Sequence, residues 1–186
     1  MGEELGPGRA GEPETRLFDL FDDLESQAQA LHNAERRTEV ADRARAGYRE
    51  VALRSRLLAS RGAELTLRLR AVGTISGELT RVGAGWLEVA GPTHRWLVPE
   101  GALLTVGGAG DRAVPEVAWS VVDRLTIASP LRALSEESEP CQMHLLDQTW
   151  WDGRVGRVGA DFVELIVPSE VLLVPLDALA AVRLRG

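Results

Sequence analysis

Gly77-Glu78-Leu79-Thr80-Arg81-Val82-Gly83-Ala84-Gly85-Trp86-Leu87-Glu88-Val89 is met a second time as Gly153-Arg154-Val155-Gly156-Arg157-Val158-Gly159-Ala160-Asp161-Phe162-Val163-Glu164-Leu165. The offset from Gly77 to Gly153 also carries Leu97-Val98-Pro99 onto Leu173-Val174-Pro175, Ala102-Leu103 onto Ala178-Leu179 and Val106 onto Val182, with no gap. From Ile75 to Val106 about two residues in five are identical, more than an ungapped chance match gives, so the chain is read as an internal repeat. Residues 63–108 and 141–186 are expected to share one topology.

Inside each repeat the apolar period is two. Leu65, Leu67 and Leu69 alternate with Thr66, Arg68 and Arg70, as in a strand buried on one face. Further short strands are predicted near 74–82, 85–90, 95–99 and 102–106, separated by turns rich in Gly and Pro. A sheet this small must curl up or pair with its twin, because open edges invite association. The expectation is α+β and mainly β: two duplicated five-stranded small barrels behind a long N-terminal helix.

Outward from the repeats, residues 1–15 read as a disordered tail rich in Gly, Pro and Glu. Residues 16–61 read as a helical segment, with one or two long helices over about 16–60. Leu17, Leu20, Phe21, Leu24, Ala28 and Leu31 fall on one helical stripe there. The first β unit is 62–108, a linker with a helix is 109–140, and the second β unit is 141–186. Ser129-Pro130 is read as a helix start within that linker.

Composition narrows the functions. There is no lysine, so any positive patch is built from arginine. The net charge of −7 is uneven: residues 1–31 hold eight acids and two arginines, and residues 32–62 hold four acids and eight arginines. Overall acidity disfavours nonspecific nucleic-acid binding, with the arginine-rich segment as the local exception. Cys141 is the only cysteine, which excludes an internal disulfide and a thiolate metal cluster. No apolar run reaches a membrane span, and the acidic start is unlike a signal peptide, so the expected compartment is the cytoplasm.

A Gly-x-apolar opening of a bent second strand, then Trp86-Leu87-Glu88-Val89, Trp96-Leu97-Val98-Pro99 and Ala102-Leu103, resembles the Sm-like fold. The second copy carries the same likeness through Gly153-Arg154-Val155, Phe162 to Leu165 and Leu172 to Leu179. The resemblance implies tandem Sm-like barrels over about half the chain. In that family RNA is held by an Asp and an Asn flanking the turn between strands two and three, and by an Arg-Gly or similar polar pair before the last strand. Here those places hold Gly83 and Gly159, Leu87 and Val163, and Pro99-Glu100 and Pro175-Leu176. The RNA pocket is absent from both copies.

Candidate chemistry is sparse. Cys141, His144 and Asp147 suggest a nucleophile, base and orienter, but strand residues three apart face opposite ways. His32 and His94 have no ligand at metal spacing, so no metal and no cofactor are expected. Arg81-Val82-Gly83-Ala84-Gly85 precedes no helix and is read as turn glycines, not a phosphate loop. Of the adjacent Trp150 and Trp151, one should be exposed unless a neighbour covers it. The reading is a non-catalytic protein-binding or scaffold protein, joining a partner or a second copy through Leu17, Leu20, Phe21, Leu24 and Leu31. The alternative is nucleic-acid contact through the arginine stripe Arg36, Arg43, Arg54 and Arg61.

Overall fold

Alternation of Leu65, Leu67 and Leu69 with charged and polar neighbours makes Glu64–Leu69 a strand, β1, with one face buried. The computed structural model describes residues 48–185. After β1 come β2 (Gly73–Gly83), β3 (Trp86–Ala90), β4 (His94–Pro99) and β5 (Leu103–Gly107). The second series is β6 (Pro140–Leu145), β7 (Trp150–Val158), β8 (Phe162–Ile166), β9 (Val171–Pro175) and β10 (Leu179–Arg185).

All ten strands belong to one antiparallel sheet in the order β5-β1-β2-β3-β4-β10-β6-β7-β8-β9. Within each half the registers coincide at the Gly77-to-Gly153 offset. Leu67 pairs with Val106 as Met143 pairs with Val182, and Trp86 pairs with Pro99 as Phe162 pairs with Pro175. The irregularity that bends β2 after Leu79 is matched by one in β7 after Val155.

The expectation of two barrels behind a long helix is corrected on both counts. No barrel closes. β4 pairs with β10, Leu97 opposite Val182 and Trp96 opposite Arg183, so the two halves satisfy each other's backbone groups and, among the described residues, only β5 and β9 stay open. Among the described residues there is no long N-terminal helix. The first, α1, is Leu53–Ala59, and Ala52 before it is extended (φ −76°, ψ 151°), which rules out one helix running through to residue 60. The rest of the expected helix, up to residue 47, lies outside the described residues.

Each half surrounds its own apolar cluster. Leu57 and Leu58 of α1 pack with Leu65, Leu67, Leu79 and Val89. In the second half Leu131 and Leu134 come from α2, Ala128–Glu137, and pack with Met143, Val155, Leu165 and Leu179. Ser129 and Pro130 lie in the first turn of α2, whose cap position is Ile127. The junction strands serve both clusters: β4 sends Val98 into the first and Leu97 into the second, and β10 sends Ala181 into the first and Val182 into the second. Trp86 of the first half also belongs to the second cluster, with its indole N–H donating to the Leu125 carbonyl at 2.8 Å.

Residues 109–127 run back over α1. Val114 N–H donates to the Ser55 carbonyl at 2.9 Å. The helical reading of this stretch reduces to two single 3₁₀ turns, Glu116–Ala118 and Val122–Arg124, before α2. Asp123 holds the stretch down: its carboxylate accepts from Ser120 N–H and Oγ, both at 2.8 Å, and from Arg61 at 3.1 Å. Burial alone raises the Asp123 pKa, but the Ser120 hydrogen bonds with Arg61 and Arg54 outweigh it and hold the carboxyl below its ordinary value.

Candidate functional site

The two ends of the sheet are the surfaces that the fold leaves unfinished. β9 pairs with β8 on one side and with nothing among the described residues on the other. Its alternation places Val174 in the core and turns Val171 and Leu173 outward, 54% and 66% exposed. Ile166, paired with Val171 on β8, extends the apolar strip. At the other end β5 pairs only with β1 and presents Leu104, 51% exposed.

Natural edge strands are usually blunted by charge, proline or a bulge. Pro168 and Pro175 stand before and at the end of β9, but Val171-Leu172-Leu173-Val174 carries no charge and pairs with β8 without a bulge. Leaving a large aliphatic side chain in water forgoes ~1.5–3 kcal/mol relative to full burial. Glu164, the cross-strand partner of Leu173, is engaged by Arg157 at 2.7 Å, whose hydrogen bonding holds the Glu164 carboxyl below its ordinary range. An apolar row beside unpaired backbone donors and acceptors is the arrangement that takes up an added strand.

A second feature lies over the middle of the sheet. Trp96 and His144 meet with their rings tilted by 41°, 5.7 Å between centroids, and Arg183 sits 6.0 Å over the Trp96 ring. Burial first, then the Arg183 charge, holds His144 below its ordinary pKa, so its imidazole is neutral at pH 7. Trp150 pairs with His144 across β6 and β7, and both Trp150 and Trp151 are exposed. Beside them a cleft of about 630 Å³ is lined by His94, Glu139, Cys141, Asp152, Arg183 and Arg185, among others. Charges of both signs share it, so it selects neither anions nor cations.

Cys141 and His144 stand on opposite faces of β6: the thiol belongs to the second core, and the imidazole meets Trp96. Asp147 accepts from Thr149 N–H at 2.9 Å and from its hydroxyl at 2.6 Å in the following turn. Burial, with Glu139 and Asp152 nearby, pushes the Cys141 thiol up to about 11, so it is protonated at neutral pH. Among the described residues no three His, Cys, Asp or Glu side chains group as a metal site.

Of the residues singled out from sequence, Leu17, Leu20, Phe21, Leu24, Leu31, Arg36 and Arg43 lie outside the described residues. Arg54 and Arg61 are brought together on the strap of residues 109–127. Arg54 stacks 4.2 Å over Trp119 and donates to the Asp123 carbonyl, while Arg61 pairs with the Asp123 carboxylate. Sequence reasoning missed the β9 edge. Its signal was partial: Leu173 repeats Leu97, but the repeat alone does not say which of the two is covered by another strand.

No protein-family model matches the chain, and no curated protein resembles it significantly.

Proposed function

We propose that this chain is a non-catalytic binding or scaffold protein that engages a protein partner by strand addition at the open edge of its sheet. The observation carrying this reading is the uncharged row Val171-Leu172-Leu173 on a strand whose outer side is paired with nothing among the described residues. The apolar stripe Leu17, Leu20, Phe21, Leu24 and Leu31 supplies a second contact in the same reading. Its expected compartment is the cytoplasm, in keeping with a single, buried cysteine.

Nucleic-acid binding through the arginine stripe is less well supported, because Arg54 and Arg61 direct their guanidinium groups to Asp123 and its backbone carbonyl. The two readings separate in one experiment. Affinity purification of wild type and Leu173→Arg from the native host is run with and without nuclease. Partners that survive nuclease and are lost from Leu173→Arg are the expected outcome. Partners that vanish with nuclease and are indifferent to Leu173→Arg establish the nucleic-acid reading instead.

A further inference from the structure

We infer that the partner for the β9 edge is the β5 edge of a second copy of this chain, joined head to tail as β4 joins β10 within one copy. This rests on the reading of β9 as a binding edge and names what binds there.

The molecule already contains one example of the joint. At the Gly77-to-Gly153 offset, β9 is the twin of β4 and β5 is the twin of β10. In the junction Leu97 lies opposite Val182 and is 1% exposed; their twins are Leu173, 66% exposed, and Val106. Ala180 is fully buried at the junction, whereas its twin Leu104 is 51% exposed on the open edge. Equivalent positions are thus covered in one copy of the repeat and uncovered in the other.

The pairs that cross the junction change together. Arg95 forms an ion pair with Glu139 at 3.1 Å, and the twins of these residues are Val171 and Ala63. Arg183 sits over Trp96, and their twins are Gly107 and Leu172. Both of these contacts are replaced on both sides by uncharged groups, while at the end of the strands the Arg185–His94 pair becomes Ala109 opposite Glu170. A contact using two different surfaces is heterologous and propagates from copy to copy, closing as a ring or extending as a filament. The expected register sets Val106 opposite the second copy's Leu173 and Gly107 opposite its Leu172.

Heterologous pairing makes a complementation experiment possible with the full chain. Leu173→Arg spoils only the β9 edge and Leu104→Arg only the β5 edge. Both side chains are exposed, and circular dichroism with a thermal melt verifies that each variant folds. By light scattering coupled to size exclusion, wild type should exceed twice the monomer mass. Each variant alone should be a monomer, and an equimolar mixture should form a 1:1 dimer and nothing larger. A wild type that stays monomeric at all concentrations up to its solubility limit overturns the inference; another segment of the chain or a different protein then covers β9. Association abolished by Leu173→Arg but untouched by Leu104→Arg overturns it in favour of β9 meeting β9. The binding reading survives a monomeric wild type if nuclease-resistant partners are still lost from Leu173→Arg, so the two fail separately.

Discussion

Gly77 and Gly153 are glycine because another backbone passes where a side chain would begin. A Cβ on Gly77 would meet the Ala90 carbonyl, and one on Gly153 would stand 2.6 Å from the Ile166 carbonyl oxygen. Gly83 and Gly159 lie in turn under the rings of Trp86 and Phe162. Gly83, at the end of β2, belongs to strand packing and not to a turn as the sequence suggested; in the Arg81 to Gly85 run only Gly85 takes a positive φ, 76°. Gly77→Ala should therefore lower stability by about 1–3 kcal/mol through overpacking. Gly101→Ala, where a Cβ meets nothing within 4 Å, should be close to neutral. Paired denaturant titrations test this, and equal midpoints for the two variants would remove the steric account.

At the scale of elements, the strap of residues 109–127 and helix α1 are held as a pair by Asp123. Its carboxylate is buried and accepts from Ser120 and Arg61. Removing it by Asp123→Ala should cost about 1–3 kcal/mol at neutral pH, because the hydrogen bonds that Ser120 and Arg61 donate to a charged, buried acceptor are lost. The folded pKa is depressed, so its contribution is fully present above the ordinary value of 3.8 and is lost as pH falls through the lower folded value. Wild type should consequently lose stability more steeply than Asp123→Ala below that pH in urea titrations at stepped acidity. Parallel curves for the two proteins would show that the carboxylate contributes no such stability.

For the molecule as a whole, the junction decides cooperativity. Two separate barrels would melt separately. Here Leu97 and Trp86 of the first half pack in the second core, and Ala181 of the second half packs in the first. Calorimetry should give one transition with calorimetric and van 't Hoff enthalpies in agreement. Leu97→Ala, which hollows the shared layer, should lower that single transition by about 2–5 kcal/mol of stability. Two resolved transitions, with only one moved by Leu97→Ala, would mean that the halves are independent.

Local architecture is legible in the order of residues. Period-two alternation at Leu65, Leu67 and Leu69 defines β1, and the Gly77-to-Gly153 offset anticipates matching registers in both halves, because alternation and turn chemistry are properties of neighbouring residues. The opposite orientation of Cys141 and His144 on β6 follows from the same rule. Which strands meet was decided only by tertiary structure. Leu97-Val98-Pro99 and Leu173-Val174-Pro175 are identical in sequence, yet one is the centre of a ten-stranded sheet and the other its edge. Edge pairing depends on what chain is at hand to satisfy the backbone, and β10 is within reach of β4 while no described strand is left for β9.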